Sequence, residues 1–209
     1  MKSKVYFTKE ITPQSLIKIY EALGVSLPGK VAVKISTGEP GGHNFLNPNL
    51  IKDLVSKLNG TIVECCAAYG GKRMDPKDHW KTIEDHGFQA IAPCDIMDEE
   101  GEMEIPVQGG FHLKTNLVGK NLKNYNSILI LSHFKGHAMG GFGGALKNMS
   151  IGTGSSNGKA NIHTAGLTSD PAKLWDNLPE QDKFLESMAD ACKAIVDYMG
   201  KENIVYINV

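Results

Sequence analysis

The stretch Ile128-Leu129-Ile130-Leu131 is wholly apolar, and it runs directly into Ser132-His133-Phe134-Lys135-Gly136-His137-Ala138-Met139-Gly140-Gly141-Phe142-Gly143-Gly144-Ala145-Leu146-Lys147-Asn148. A short apolar run between polar residues predicts a buried β-strand. The segment after it carries two histidines, two lysines and five glycines. Glycine lacks a Cβ atom, so it tolerates positive φ and lets a ligand approach the backbone closely. The stretch therefore predicts a strand that ends in a ligand-binding loop.

Strands and helices are predicted to alternate on both sides of this stretch. Apolar runs predict strands over 31–35, 61–65, 127–131 and 203–209, and helical periodicity predicts helices over 13–23, 48–58, 76–86, 145–151 and 181–199. Thr12-Pro13 and Asn47-Pro48 have the residue types of a helix N-cap and first turn. Alternation of this kind is typical of crossovers on a parallel sheet. We expect an α/β fold with a mostly parallel sheet flanked by helices.

Four further segments have weaker signals. Residues 5–7 and 90–92 are short apolar runs that predict short strands. The apolar residues 105–107 and 111–113 surround Gly109-Gly110 and predict a small edge hairpin, because Pro106 is unsuited to a central strand. Residues 153–159 are polar and rich in glycine, which favours a loop folding over the first one.

Composition narrows the classes of protein. The chain has 209 residues, enough for a single α/β domain over 1–209, and its 22 Lys and Arg residues are balanced by 23 Asp and Glu residues, giving a net charge of -1. Without basic clusters or a long apolar segment, we expect no nucleic-acid partner, no membrane and a cytoplasmic location. Because the chain ends on a predicted strand, we also expect a segment to be missing beyond Val209.

The four cysteines are Cys65, Cys66, Cys94 and Cys192, and none has the Cys-x-x-Cys spacing of a zinc or ferredoxin site. We expect reduced thiols. Cys65 and Cys66 are neighbours at the end of a predicted strand, so their side chains should point to opposite faces of the sheet.

Three loops should meet at the carboxyl edge of the predicted sheet, where ligands bind in open parallel sheets: 36–44, 67–75 and 132–147. Glycine amides with a nearby cation suit a small anion such as a carboxylate or phosphate. Neither a Walker A sequence nor Gly-x-Gly-x-x-Gly is present. The predicted ligand-binding residues are Glu39, Gly41, His43, Lys135, Gly141, Gly143 and Gly144, with Lys147 as the stabilising charge.

His133 and His137 are the candidate catalytic or metal-binding residues, together with Lys147 as a catalytic charge. Two imidazoles four residues apart suit a transition metal on a helix, although Gly136 interrupts helical structure here. The alternative is that His133 binds a loop carbonyl and His137 packs or faces solvent. Arg73, near Gly70-Gly71, offers bidentate recognition of a carboxylate, or else belongs to an ordinary surface loop.

The segments Ser132–His137, Gly141–Asn148 and Lys34–Asn44 resemble the family named domain of unknown function 362, which is often joined to a ferredoxin-type iron-sulfur module. The resemblance extends over nearly the whole chain and implies a ferredoxin-type partner. Family members often carry a cysteine after the Lys-Asn helix, where this chain has Ile151-Gly152-Thr153-Gly154-Ser155. We therefore expect no iron-sulfur cluster within the chain itself.

A shorter likeness links His137, residues 141–144 and Lys147 to the glycine-rich segment of nickel-dependent lactate racemase. It implies proton or hydride chemistry on a small 2-hydroxy acid. Two hypotheses follow. The first is a redox- or isomerase-type enzyme for a small anion, with or without a metal. The second is a non-catalytic docking or maturation partner of an iron-sulfur protein, which predicts an exposed apolar patch at Phe134, Met139 and Phe142.

Overall fold

The structure is a computed structural model that describes residues 4–209. The helices are α1 (Pro13–Ala22), α2 (Pro48–Lys57), α3 (Pro76–Asp85), α4 (Ala145–Thr153), α5 (Ser156–His163) and α6 (Gln181–Met199). The strands are β1 (Val31–Lys34), β2 (Thr61–Glu64), β3 (Cys94–Ile96), β4 (Glu102–Pro106), β5 (Thr115–Gly119), β6 (Ser127–Ser132), β7 (Lys135–His137), β8 (Gly141–Gly143) and β9 (Ile204–Asn208).

Five of these strands form one parallel sheet, which confirms the predicted α/β fold, and their order is β3-β2-β1-β6-β9. Strand β1 is central, and Val33 lies opposite Ile62 on one side and Leu129 on the other. The chain builds outward from β1 to one edge through β2 and β3, then returns to β6 and continues to the other edge. The strand order therefore reverses between β1 and β6, which is where ligand sites form in such sheets.

Helices cover both faces of the sheet, and the side chains of β1 alternate between the two cores. Val31 and Val33 pack with α1, α2 and α3, whereas Ala32 packs on the opposite face with α4, α5, α6 and the β4–β5 pair. All four residues of β1 and all six of β6 are buried. Burial on both faces explains why β6 has no polar residue between its terminal serines.

Three helices begin where the sequence predicted, each with proline in its first turn. Thr12 caps α1 and forms a capping box with Ser15, Asn47 caps α2 through the N–H of Asn49, and Asp75 caps α3. Proline suits these positions because the first N–H groups of a helix have no partner within it.

The predicted hairpin is present, but its arms differ from the predicted ones. Strands β4 and β5 pair antiparallel in a two-stranded sheet of their own, and residues 107–114 connect them. The Asp190 carboxylate on α6 holds this connection by accepting the N–H groups of Phe111, His112 and Leu113 at 2.8–3.0 Å. Because these three N–H groups bond to Asp190, they do not pair with a neighbouring strand.

Three other predictions were wrong. Residues 5–7 are irregular, with Val5 88% and Phe7 82% exposed. Residues 88–90 form a 3-10 turn, and pairing with β2 starts only at Pro93, whose carbonyl accepts the Ile62 N–H. Residues 153–159 are not a covering loop, because α5 starts at Ser156 after its cap Ser155.

Two observations complete the fold. Cys65 lies in the core beneath α4 to α6 and Cys66 in the core beneath α1 to α3, which confirms that their side chains point to opposite faces.

Of the helices formed by residues 4–209, none combines the length and the apolar character needed to cross a bilayer.

Candidate functional site

The loops that follow β1, β2 and β6 enclose a cavity of about 350 Å³ at the carboxyl edge of the sheet. Its position at the reversal between β1 and β6 follows from the topology, because the chain leaves these two strands toward opposite faces. A volume of this size suits a small organic molecule. Five cationic side chains and two carboxylates line the cavity: Lys34, Arg73, Lys135, Lys147 and Lys159, with Glu39 and Glu64.

The floor of the cavity is a buried network around Glu64, the last residue of β2. Its carboxylate accepts bonds from the Thr37 N–H at 2.9 Å and from the Thr37 hydroxyl, and it lies 3.2 Å from His79 Nε2 and 3.3 Å from Arg73 Nη1. Burial alone would raise the pKa of Glu64, but Arg73, Lys34 and His79 together hold that pKa well below its usual range. Glu64 is therefore ionised at neutral pH.

Lys34, the last residue of β1, is 1% exposed. Its ammonium donates to the carbonyl of Ile35 at 2.5 Å and to Asn148 Oδ1 at 3.0 Å, and lies 3.8 Å from Glu64 Oε1. Burial lowers the pKa of Lys34 to about 8, against the opposing effect of Glu64. Gly152 makes room for this ammonium, since a Cβ there would lie 2.8 Å from Lys34 Nζ.

Arg73 lies in a 3-10 turn formed by Lys72–Met74, and its side chain lines one side of the cavity. Its Nη1 faces Glu64, and its Nη2 donates to Glu39. Although burial opposes it, the nearby Glu64 and Glu39 raise the pKa of Arg73, so the guanidinium stays charged.

Lys147 on α4 brings an ammonium to the cavity that has no carboxylate partner within residues 4–209. Burial lowers the pKa of Lys147 to about 8, and the cations Lys135 and Lys159 add to the effect. Lys159 on α5 is also buried, and its Nζ donates to the carbonyl of Gly154 at 2.6 Å. An uncompensated cation in a partly buried cavity favours an anionic ligand.

His137 lies on the short β7–β8 hairpin, which the sequence analysis did not predict. Its Nδ1 accepts the Gly140 N–H at 3.0 Å, so the proton of the neutral ring lies on Nε2. Burial lowers the pKa of His137, and Lys147 and Lys135 lower it further. The ring is therefore neutral at pH 7 and offers an N–H donor at Nε2.

His133 follows β6 directly and lines the same cavity. Its Nδ1 is buried and has no hydrogen-bond partner among residues 4–209. The loop carbonyl that the sequence analysis considered for His133 is therefore not bound at this nitrogen. An unpartnered buried ring nitrogen costs free energy that a ligand or water could recover.

Comparison with known proteins places the chain in a family. The sequence profile described as "Domain of unknown function (DUF362)" matches residues 31–209. The chain belongs to the DUF362 family. No curated protein matches the sequence.

Two solved structures share the fold of this DUF362 chain. The lactate racemase apoprotein from Thermoanaerobacterium thermosaccharolyticum is similar with a TM-score of 0.54 and 14% identity over 96% of this chain and 49% of that one. A protein from Thermotoga maritima is similar with a TM-score of 0.53 and 16% identity over 90% of this chain and 48% of that one. The DUF362 chain thus spans about half the length of these structures.

Within the described residues of this DUF362 chain, the side chains do not form a metal centre held by protein ligands alone. No group of three or more His, Cys, Asp or Glu side chains within residues 4–209 is arranged to hold an ion. The cysteines are free, and Cys65, Cys66 and Cys192 are buried in the cores. A metal at His133 and His137 stays a prediction.

Not every predicted site residue lines the cavity. Glu39, Lys135, Gly143 and Gly144 do so, together with His133, His137 and Lys147. Gly41 and His43 instead border a separate depression beside α2 and the end of α3. Gly141 is exposed in β8, outside the cavity lining. The first amide of α4, that of Ala145, donates to Asn208 Oδ1 at 2.9 Å and is not open to a ligand.

Four residues of the floor and one wall were not predicted from the sequence, namely Lys34, Glu64, Lys159 and Asn148. A usable signal existed for two of them. Lys34 and Glu64 are charged residues that terminate otherwise apolar, buried strands. Charged side chains are rarely fully buried unless they are paired, so two such residues on predicted neighbouring strands indicate an ion pair.

Proposed function

We propose that this chain binds a small organic anion in the cavity and acts on it by proton transfer. The observation that carries the proposal is Lys147, an ammonium that lines the cavity and has no carboxylate partner within residues 4–209. The excess of cationic over carboxylate side chains in the lining favours the same kind of ligand. Preorganised charges in a site with little water stabilise an anion more than they do in bulk solvent.

The two histidines take different roles in this proposal. His137 donates from Nε2 to an oxygen of the ligand, because its Nδ1 is held by Gly140. His133 lines the cavity and accepts a proton on its imidazole ring, and Lys147 stabilises the negative charge that develops on the ligand. Removal of the C2 proton next to the carboxylate, followed by return of a solvent proton to the same carbon, is isomerase-type chemistry that needs no oxidant. The shared fold with a lactate racemase apoprotein makes 2-hydroxy acids the first class to test.

Binding is tested by isothermal titration calorimetry with lactate and with inorganic phosphate. We expect Lys147→Gln to weaken binding by about tenfold or more, the loss typical of a charge-assisted contact. Lys183→Gln is the matched control, because Lys183 is exposed on α6 and away from the cavity lining. Equal affinity in Lys147→Gln and the wild type would remove the proposal.

Proton transfer is tested by NMR detection of deuterium incorporation at C2 of lactate in heavy water. We expect His133→Gln to stop exchange while lactate still binds, because the amide cannot act as a base. If exchange persists at the wild-type rate, His133 is not the base. His137→Gln, which keeps an N–H donor, should retain part of the activity.

A second function is favoured by one observation, an exposed apolar pair formed by Phe134 and Phe142, which are 55% and 54% exposed. The two phenylalanine rings lie 5.5 Å apart, whereas Met139, which the sequence placed in the same patch, is partly buried against the core. Exposed apolar clusters mark interaction sites, which fits docking to a ferredoxin-type protein. The double variant Phe134→Ser/Phe142→Ser should then abolish ferredoxin-induced NMR shifts, whereas Phe111→Ser, exposed elsewhere, should not.

A further inference from the structure

Arg73 is the only arginine of the chain, and the other 21 of the 22 basic residues are lysines. It lines the cavity, and its side chain is 11% exposed. Lysine and arginine carry the same charge, but only the planar guanidinium presents a fork that binds a carboxylate through two parallel hydrogen bonds. The guanidinium at this position can therefore bind a carboxylate in a way that none of the 21 lysines can.

On the edge of the guanidinium formed by Nε and Nη2, only Nη2 has a hydrogen-bond partner. Nη1 faces the Glu64 carboxylate at 3.3 and 3.4 Å, and Nη2 donates to Glu39. The remaining donor, Nε, is buried and has no partner within residues 4–209. A guanidinium has five N–H donors, and a carboxylate that spans Nε and Nη2 would satisfy the buried donor.

The two glutamates that hold Arg73 are not equivalent. Glu64 is 7% exposed and is fixed by Thr37, His79 and Lys34 as well as by Arg73. The Glu39 side chain is 70% exposed, and its one side-chain contact within the described part of the chain is with Arg73. An ion pair whose carboxylate is exposed to solvent and has a single partner contributes little stability, because water competes for the carboxylate. Glu39 can therefore leave Arg73 at small cost.

We propose that Arg73 binds the carboxylate group of the ligand through its Nε and Nη2 edge, and that Glu39 occupies Nη2 only while the cavity is empty. The inference rests on the proposed anion-binding function and names the recognised group. When the ligand binds, its carboxylate replaces that of Glu39, so the charge around the guanidinium is unchanged. The exchange adds a bond to Nε that Glu39 does not make.

The single arginine makes this exchange directly observable. In an arginine-selective ¹⁵N spectrum, the Nε–H group of Arg73 gives the one arginine side-chain signal of the protein. We expect a saturable shift of this signal on titration with a series of carboxylates, namely formate, acetate, lactate and malonate. Sodium chloride at equal ionic strength should leave the signal in place.

Substitution of Glu39 tests the proposal, because the direction of the change in carboxylate affinity separates two roles for this residue. If Glu39 competes with the ligand, Glu39→Gln should tighten binding of the carboxylate that gives the largest shift by about two- to fivefold, the range expected for removal of an exposed ion pair. If Glu39 instead positions Arg73, the same variant should weaken binding. Glu21→Gln, which removes a carboxylate from an exposed pair with Lys57, is the matched control and should have no effect.

Arg73→Lys keeps the charge and removes the fork, so we expect carboxylate affinity to fall by about tenfold, with a backbone amide spectrum that remains dispersed. The inference is overturned if no carboxylate in the series moves the Nε–H signal at millimolar concentration, or if Glu39→Gln weakens binding. If lactate still binds in a manner that depends on Lys147 while the Nε–H signal stays in place, the proposed function survives and the role of Arg73 does not.

Discussion

The side chains of Lys34 and Glu64, the last residues of neighbouring strands β1 and β2, lie 3.8 Å apart beneath the cavity. Both are almost fully buried, and each would be strongly destabilising alone because a buried charge loses its hydration. The parallel register places the two strand ends side by side. The sheet therefore sets the electrostatics of the site as well as its position.

Glu64→Gln should be strongly destabilising. Removal of the carboxylate leaves Lys34 without its anion and Arg73 with Glu39 alone. Breaking a buried ion pair from one side costs about 3–5 kcal/mol, which urea unfolding monitored by circular dichroism would measure. Glu21→Gln, in an exposed pair, should change the free energy of unfolding by less than about 1 kcal/mol. Similar losses in both variants would contradict the assigned role of Glu64.

Gly152→Ala should also destabilise the protein. Alanine normally stabilises a helix interior relative to glycine by about 1 kcal/mol. Here the new Cβ would lie 2.8 Å from Lys34 Nζ and 3.0 Å from Asn148 Oδ1, so the ammonium must move. Overpacking of this kind costs about 1–3 kcal/mol. Gly136→Ala, with open space around the new Cβ, is the control for thermal unfolding. A stabilised Gly152→Ala variant would show that Lys34 is free to shift.

Lys147→Met should make the protein more stable at neutral pH, and the advantage should shrink as the pH rises. The pKa of Lys147 is about 8 in the folded protein and 10.5 in the unfolded chain, so the unfolded state binds more protons between these values. The wild type therefore gains stability relative to the variant from about pH 8 to 10.5. We expect a difference of about 1–3 kcal/mol at pH 7, measured by urea unfolding of both proteins across this range. A difference that does not depend on pH would show that Lys147 is well hydrated.

Asp190→Ala should loosen the β4–β5 connection. The Asp190 carboxylate accepts three backbone N–H groups, those of Phe111, His112 and Leu113. Loss of the acceptor leaves these amides without their partner, at about 1–3 kcal/mol for each buried group. Hydrogen exchange at residues 111–113 should accelerate, and the free energy of unfolding should fall. Asp176→Ala, at an exposed position, should change neither. Unchanged exchange at 111–113 would mean that water or other residues replace the carboxylate.

Much of the fold was predictable because the apolar strands and the proline-started helices are local signals. The parts that failed depend on contacts distant in sequence. Residues 153–159 were predicted as a loop from their glycine and polar content, yet Gly158 lies within α5 where a Cβ would be 1.9 Å from the carbonyl oxygen of Leu117. That glycine permits close packing of α5 on β5. Its role could be recognised only with β5 in place.

The candidate site was predictable in outline for a similar reason. The loop after β6 is recognisable by its content of glycine, histidine and lysine. His133, His137 and Lys147 from this stretch all line the cavity. Glu64 gave a weaker signal, a charged residue at the end of a buried strand, because its importance comes from Arg73 and Lys34, nine and thirty positions away in sequence. His43 has the residue type and glycine neighbours of a site residue, but the loop after β1 turns it toward α2 and α3.

The adjacent thiols of Cys65 and Cys66, which lie in different cores, provide two spectroscopic reporters at neighbouring positions of one backbone segment. In variants that retain only one of them and also lack Cys94 and Cys192, the rate of disulfide exchange with an added aromatic reagent would follow the opening of one helical layer without the other. Comparison of the exchange rates of Cys65 and Cys66 would reveal whether the two helical layers separate from the sheet together or in succession.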